Sequence, residues 1–249
     1  MTLRLIDTFS GIGGFSLAAR WLGGFETVQF VERDPYCQRV LAKHWPTVPI
    51  HDDICTFNPE PGSADVVVGG FPCQDLSIAG ARRGMGPDTR SGLFYQLLRV
   101  VRVVRPQFIV MENVAAILDG HLGTVVGELA TAGYDCEWAC LSAADFGAWH
   151  VRDRWWAVAY PECYRIQGHL PDAISWQRGF ADVSFSRRVE DLRNGPPGSS
   201  PRFRGDPDGV PAWVDRLRAL GNAVVPQVAM VPLARVLELN RQLTEDHQR

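Results

Sequence analysis

The chain alternates short apolar runs with segments in which apolar residues recur at the spacing of a helix. This alternation is typical of a mainly parallel sheet with helices on both faces, because parallel strands need crossover connections that are usually helical. We therefore predict an α/β fold with a doubly wound sheet. The predicted strands are 3–9, 27–32, 65–70, 108–113, 135–141 and 154–160, and the predicted helices are 14–22, 35–44, 92–105, 120–132, 213–220 and 225–243.

Residues 161–212 interrupt this alternation. The stretch NGPPGSSPRFRGDPDG at 194–209 is dense in proline and glycine, which predicts irregular structure. We therefore expect an α/β domain over 1–160, a short irregular annex over 161–212 and a return to the domain over 213–249.

The composition is that of a globular protein, with 46% hydrophobic and 21% charged residues. No stretch reaches the roughly 18 apolar residues that a membrane helix needs, and the N-terminal residues lack a signal-peptide pattern, so we predict a cytoplasmic protein. The 6 cysteines show no CxxC pair and no metal-ligand spacing, which predicts free thiols and no metal site. The net charge of −3 indicates no generally basic surface, although local arginine clusters could still bind nucleic acid.

A glycine-rich turn follows the first predicted strand, in DTFSGIGGFSLAAR. Gly11, Gly13 and Gly14 let the backbone turn tightly and approach a ligand at the start of the first helix. Glu32 ends the second strand, where an acid typically binds ribose hydroxyls. Asp53 follows a third extended segment, where its carboxylate could accept a hydrogen bond from an adenine amino group. These features in this order predict a site for an adenosine-type ligand.

Cys73 lies in GGFPCQDLSIAG, directly after the apolar run DVVV. A cysteine can fill core space, but this one stands at the carboxyl end of a strand, where open α/β sheets bind ligands. Glu112, in MENV, ends the next strand and could donate a proton to a ring nitrogen, unless it only caps a helix. Arg152 and Arg154 begin a later strand, and alternation would put both on one face. There they could hold a carbonyl oxygen or a phosphate, or form a plain surface pair.

The ordered motifs resemble those of the cytosine-C5 DNA methyltransferases, and of their short bacterial and phage members in particular. They are DTFSGIGGF, VERD, DDI, GGFPCQDLSIAG, RSGLF, MENV, FGAWHVRDR and RALGNAVVP. Pro-Cys-Gln and Glu-Asn-Val are the specific elements among them. The resemblance implies a Rossmann-like methyltransferase fold in which 161–212 is a target-recognition segment. Trp149 departs from the family pattern, which usually has proline at that position.

The resemblance also implies a reaction. S-adenosyl-L-methionine would be the cofactor and S-adenosyl-L-homocysteine the product, and the substrate would be a cytosine flipped out of duplex DNA. Cys73 would attack cytosine C6, Glu112 would protonate or hydrogen-bond N3, and Arg152 and Arg154 would orient the base and the cysteine. The family pattern puts around the cofactor Phe9, Gly11, Gly13, Glu32, Asp53, Pro72 and Asn222.

Contacts with double-stranded DNA are expected from the residues that follow Cys73. Gln74 would steady the turn or contact the DNA backbone, and the glycine-rich segment 80–92 would close over the flipped DNA with Arg82 and Arg83 near phosphates. A restriction endonuclease acting on the same site is compatible with this role, without a stable complex, and we expect a monomer. The short recognition segment predicts a short target site or loose specificity.

Three other functions stay open on these residues. A transfer-RNA cytosine methyltransferase would use the same chemistry, although relatives acting on RNA tend to show Pro-Pro-Cys-Gln where this chain has Phe71. A DNA-binding relative without turnover is disfavoured because Cys73, Glu112 and both arginines are intact. A thiol hydrolase built on Cys73 would lack a histidine placed by a motif to act as its base.

Overall fold

The computed structural model describes residues 2–72, 92–148, 150–164, 215 and 219–246. Within them the strands are β1 Leu3–Thr8, β2 Phe25–Val31, β3 Ile50–His51, β4 Val66–Gly69, β5 Phe108–Val114, β6 Tyr134–Ser142 and β7 Asp153–Pro161. The α-helices are α1 Gly14–Leu22, α2 Pro35–His44, α3 Leu93–Val104, α4 Leu122–Thr131 and α5 Pro226–Asp246, and 3-10 turns cover Ala115–Asp119 and Ala143–Phe146. The six predicted strands and the predicted helices other than 213–220 are confirmed, with ends that differ by three residues at most. β3 corresponds to the third extended segment, and most of the predicted helix 213–220 lies outside the described residues.

The strands form one sheet in the order β3-β2-β1-β4-β5-β7-β6. Its first five members pair in parallel. β7 runs antiparallel to both β5 and β6. The prediction of a mainly parallel sheet is therefore confirmed for β1 to β5, and the last two strands add an antiparallel edge.

Helices pack on both faces of the sheet. Apolar residues of α1 and α5 share one buried cluster with the sheet, and apolar residues of α3 and α4 share the other. These core residues include Phe15 and Ala18 of α1, Val228 and Val231 of α5, Phe94 and Leu97 of α3, and Val125 and Leu129 of α4. Two layers of helices thus bury the sheet, which is the doubly wound arrangement.

The start of α2 shows how sequence sets a helix boundary. Asp34 is the N-cap, and its Oδ1 accepts from the backbone N–H groups of Tyr36 (2.7 Å) and Cys37 (3.4 Å). Pro35 occupies the first helical position, where its missing N–H costs nothing.

The closing helix α5 is pinned to the sheet by a buried ion pair. Arg235 Nε lies 2.7 Å from Glu137 Oε1 of β6, and the Glu137 side chain is 3% exposed. Residues 219–245, which cover all but the last residue of α5, are by length and composition able to span a membrane, since an 18-residue window within them has a mean hydropathy of 1.4. Since the apolar face of α5 is packed in the core against α1 and the sheet, we assign it as a core helix.

Candidate active site

The turn after β1 is held in a left-handed conformation. The φ angles are 52° at Phe9, 54° at Gly11 and 86° at Gly13. Glycine adopts such angles freely, whereas at Phe9 the conformation costs about 1–3 kcal/mol, a strain that is characteristic of functional sites. Ser10 secures the turn, because its Oγ donates to the carbonyl of Asp7 at 2.6 Å and its carbonyl accepts from Gly13 N–H at 2.8 Å.

Glu32 joins this turn to the end of β2. Its Oε2 accepts from the N–H of Gly11 at 2.6 Å and its Oε1 from the N–H of Asp34 at 2.7 Å. Burial raises the pKa of Glu32, and the two N–H groups oppose that shift. Two of the predicted cofactor residues, Gly11 and Glu32, are thus in direct contact. Each carboxylate oxygen keeps a second lone pair with which it could accept from a ligand hydroxyl.

Asp7 lies directly before this turn and was not singled out from the sequence. Its Oδ2 accepts from the hydroxyl of Ser16 at 2.6 Å and from the Ser16 N–H at 3.2 Å, in the first turn of α1. Among the described residues, Asp7 Oδ1 is a buried oxygen without a hydrogen-bond partner. Burial raises the pKa of Asp7 to about 7. The sequence feature that could have identified Asp7 is an acidic residue near the end of a buried strand, just before a glycine-rich turn.

Asp53 stands at the same edge of the sheet, on the turn after β3. Pairing of the Glu32 N–H with the carbonyl of His51 at 2.9 Å aligns the ends of β2 and β3. Asp53 Oδ1 accepts from the N–H of Cys55 at 2.9 Å, and this hydrogen bond lowers the pKa of Asp53. The half-buried carboxylate is therefore an ionised acceptor, as a site for an amino group requires.

The end of β4 passes very close to its neighbours. A Cβ added to Gly69 would collide with Thr8 Oγ1, and one added to Gly70 would lie 3.1 Å from Glu112 Oε2. Only glycine lets the chain reach this edge without displacing those side chains. Pro72 is the last described residue before Cys73.

Asn113 holds this same chain end and was also missed at the sequence level. It is 2% exposed, and its Nδ2 donates to the carbonyl of Phe71 at 3.3 Å. Asn113 therefore ties β5 to the residues that lead into Cys73. The sequence feature that could have identified Asn113 is its position in MENV, directly after Glu112.

Glu112 and Arg154 form an ion pair at the carboxyl end of β5. Arg154 Nε lies 3.1 Å from Glu112 Oε1, and the Glu112 side chain is only 11% exposed. Burial raises the pKa of Glu112, while Arg154 and Arg152 partly offset the shift. A buried carboxyl group with a raised pKa holds its proton more readily than an exposed one, and it could hydrogen-bond a ring nitrogen.

Arg152 contacts a different part of the chain. Its Nη1 donates to the carbonyl of Gly221 at 2.6 Å, directly before the exposed Asn222. Burial lowers the pKa of Arg152, and the nearby Arg154 adds to that shift. Arg152 therefore ties the start of β7 to the residues before α5, and a small cavity beside it is lined by Glu112, Ala143, Arg152, Arg154, Trp156, Val225 and Val228.

The segment before α5 also covers the glycine turn. A Cβ added to Gly14 would lie 2.6 Å from the carbonyl oxygen of Val224, and one added to Gly70 would lie 3.9 Å from the Val224 side chain. Val224 thus packs between the start of α1 and the end of β4, two residues after the predicted cofactor residue Asn222.

Several predicted site residues lie outside the described part of the chain. They are Cys73, Gln74, Arg82, Arg83 and Trp149, together with most of the predicted recognition segment 161–212. Within the part that is described, no group of three or more His, Cys, Asp or Glu residues could hold a metal ion.

A family model of the C-5 cytosine-specific DNA methylases matches residues 3–191. This match covers most of the chain, including the glycine turn, Glu32, Asp53, Glu112 and both arginines. The chain belongs to the C-5 cytosine-specific DNA methylase family, and the resemblance seen in its motifs is confirmed.

Individual relatives and solved structures agree. The chain is 34% identical over 170 residues to Type II methyltransferase M.HhaI of Haemophilus parahaemolyticus, covering 66% of this chain and 51% of the relative. It is 36% identical over 167 residues to Type II methyltransferase M1.HphI of the same organism, covering 62% and 45%. A prophage-encoded E. coli protein described as a DNA modification methyltransferase superposes with a TM-score of 0.55 at 26% identity, covering 69% of this chain and 51% of that one. The S. pombe Dnmt2 methyltransferase shares the fold at 21% identity and a TM-score of 0.54, covering 68% and 52%.

The chain spans about half the length of most of these relatives. The similarity therefore establishes the family and the fold, which is the Rossmann-like methyltransferase fold predicted from the motifs.

Proposed function

We propose that the protein is a DNA (cytosine-5-)-methyltransferase, which transfers a methyl group to C5 of a cytosine flipped out of duplex DNA. The observation that carries the proposal is the buried Glu112, held by Arg154 beside Gly70 on the chain that leads into Cys73. An acid with a raised pKa at that place fits a reaction in which a ring nitrogen must take a proton.

S-adenosyl-L-methionine is the methyl donor that fits the other end of the site. The left-handed turn offers a backbone that a ligand can approach closely, and Glu32 and Asp53 offer carboxylate oxygens for hydroxyl and amino groups. When bound, this cofactor supplies an electrophilic methyl group and leaves as S-adenosyl-L-homocysteine. The residues that would hold it are Phe9, Gly11, Gly13, Glu32, Asp53, Pro72 and Asn222.

The protein side of the reaction follows from the nucleophile and the acid. The Cys73 thiolate forms a bond to C6, and the electron pair of the C5–C6 double bond moves through the ring toward N3, where Glu112 supplies the proton. The ring is then an enamine that is nucleophilic at C5, the carbon that accepts the methyl group. As C5 takes the methyl group, N3 returns its proton to Glu112. Loss of the C5 proton to a water molecule then restores the C5–C6 double bond and expels the Cys73 thiolate, so the enzyme is regenerated.

Duplex DNA is the substrate that we infer. The relatives M.HhaI and M1.HphI are Type II methyltransferases, and the base must leave the stack before Cys73 can reach it. Arg152 and Arg154 orient the base and Cys73. Gln74 steadies the turn or contacts the DNA backbone, and Arg82 and Arg83 lie near phosphates. The segment 161–212 reads the sequence and, being short, recognises a short or loosely defined site. We infer a cytoplasmic monomer that could share its site with a restriction endonuclease without binding it stably.

Transfer of a labelled methyl group tests the proposal. Wild-type protein and the Cys73→Ser variant are incubated with labelled S-adenosyl-L-methionine and duplex DNA, with transfer RNA as a parallel substrate. Label at cytosine C5 of DNA with the wild type alone supports the proposal. Label on transfer RNA but not on DNA overturns the DNA assignment, and cofactor binding without transfer to either indicates a relative without turnover.

A DNA duplex with 5-fluorocytosine at the target gives a second readout. After methyl transfer from S-adenosyl-L-methionine, which is included in the reaction, fluorine stands at C5 in place of the proton that must leave, so the methylated thiol adduct cannot resolve. A protein–DNA adduct stable to denaturation is expected with wild type and not with Cys73→Ser.

A further inference from the structure

Arg99 of α3 holds the turn that follows β3. Its Nη2 donates to the carbonyl of Ile54 at 2.6 Å and to the carbonyl of Phe57 at 2.8 Å. Its Nε donates to Gln96 Oε1 at 2.9 Å, one helical turn earlier, which fixes the direction of the guanidinium. Charge-assisted hydrogen bonds of this length are among the strong ones in proteins.

The turn that Arg99 holds is the one that presents Asp53. The carbonyl of Asp53 accepts from the N–H groups of Thr56 (3.1 Å) and Phe57 (2.9 Å), so residues 53–57 form one closed unit. Ile54 and Phe57 are 5% and 7% exposed and point into the core beside α3. The unit is internally fixed, and it is held in place by these two buried side chains and by the hydrogen bonds that Arg99 donates to its carbonyls.

We propose that Arg99 is a positioning residue of the cofactor site, which acts by holding the Asp53 carboxylate in place for the adenosine part of the ligand. The inference rests on the proposed function, because it takes Asp53 as a cofactor contact. Arg99 has no direct contact with the ligand in this proposal. Its effect on binding passes through the carbonyls of Ile54 and Phe57.

The same helix supplies a matched control. Arg102 of α3 pairs with Glu128 Oε2 of α4 at 3.2 Å, and its side chain is 47% exposed. An exposed pair of this kind contributes little to stability. Changes at Arg102 therefore alter charge on the same helix without touching the Asp53 turn.

The experiment measures the affinity for S-adenosyl-L-homocysteine by calorimetry in wild type, Arg99→Ala, Arg99→Lys, Arg102→Ala and Arg102→Lys. We expect Arg99→Ala to raise Kd about tenfold, equivalent to about 1.4 kcal/mol, and to raise the KM for S-adenosyl-L-methionine with kcat at saturation nearly unchanged. Arg99→Lys should recover part of the affinity because its ammonium can still donate to a carbonyl. Both Arg102 variants should match wild type.

A double-variant cycle with Asp53→Asn separates positioning from general loss of structure. If Arg99 acts through Asp53, Arg99→Ala should change Kd much less in the Asp53→Asn background than in wild type. An equal change in both backgrounds, or an unchanged Kd in Arg99→Ala, overturns the proposal. If Arg99→Ala fails to fold, Arg99→Lys against Arg102→Lys decides, and equal Kd values in that pair likewise overturn it. Failure of the wild type itself to bind the ligand is the distinct outcome that overturns the proposed function.

Discussion

Arg154 Nε lies 3.1 Å from Glu112 Oε1 because β7 runs antiparallel to β5. The register pairs Val114 with Arg154 and Glu112 with Trp156, so the start of β7 meets the end of β5. A parallel β7 would have left its first residues at the opposite edge of the sheet. The acid and the arginine therefore meet at the edge that also carries the glycine turn and the chain leading to Cys73.

Replacing Glu112 by Gln should remove the acidic proton that Glu112 supplies to N3 while keeping the size and shape of the side chain. Loss of a general acid typically lowers a rate by about 10²–10⁴-fold, so we expect kcat for methyl transfer to fall within that range. The Kd for S-adenosyl-L-homocysteine should stay close to that of wild type, because in the proposed reaction Glu112 contacts the base and not the cofactor. Glu128→Gln makes the same change in the exposed pair with Arg102 and should leave kcat unaffected. An equal loss in both variants would contradict the role of Glu112.

Alanine at Gly14 should destabilise the protein, while alanine at Gly127 should stabilise it. At Gly14 the new Cβ would lie 2.6 Å from the Val224 carbonyl oxygen, so the segment before α5 must shift, at a cost of about 1–3 kcal/mol. At Gly127, inside α4, nothing lies within 4 Å of the new Cβ, and removing a helical glycine should add about 0.5–1 kcal/mol. Urea unfolding of both variants measures the two changes. A neutral or stabilising change at Gly14 would show that Val224 does not pack closely on it, and a destabilising change at Gly127 would contradict the helix prediction.

Asp7 should make stability fall as the pH rises from about 4 to about 7. Its folded-state pKa is raised by burial from 3.8 to about 7, so the folded protein binds a proton in this window and the unfolded chain does not. The contribution is fully present below pH 4 and lost above pH 7. Asp7→Asn keeps an acceptor for Ser16 and carries no charge, so relative to it the wild type should lose at least about 1 kcal/mol between pH 4.5 and pH 8. Unfolding curves of the two proteins at both pH values provide the measurement, and a constant difference would refute the shifted pKa.

Removing Arg235 should cost far more stability than removing a surface arginine of the same helix. Without it, Glu137 would be a buried charge without its partner, and breaking such a pair costs about 3–5 kcal/mol. Arg235→Ala should therefore lower the free energy of unfolding by about that amount, while Arg241→Ala, on the exposed side of α5, should change it by less than about 0.5 kcal/mol. Glu137→Leu combined with Arg235→Leu should recover much of the loss, since it removes both charges. Failure to recover would point to packing by the arginine stem instead of the ion pair.

The elements of the fold were predictable because they depend on local patterns. Helix α2 begins at Pro35 after an Asp34 cap, and α1 begins directly after its glycine turn, as the sequence indicates. The candidate site was predictable where a residue ends a strand, since the carboxyl ends of parallel strands meet at one edge. Glu32, Asp53 and Glu112 all belong to that group.

Contacts between distant segments were not predictable in the same way. The hydrogen bond from Arg152 to the Gly221 carbonyl joins residues far apart in the chain, and no local pattern encodes it. The hydrogen bonds from Asn113 to the Phe71 carbonyl and from Arg99 to the Ile54 carbonyl also join segments that are far apart in the chain. Each depends on how the elements pack, which a single sequence does not display.

By itself, the sequence determined which segments become strands and helices and which reactive side chains end them, because hydrophobic period, caps and glycines act over a few residues. Only the tertiary structure decided that β7 enters the sheet antiparallel beside β5, and so placed Arg154 against Glu112. The alternation of side chains along a strand is the same whichever way the strand runs. The direction of the strand in the sheet depends on the strand it pairs with and on the segment that connects it to the preceding strand.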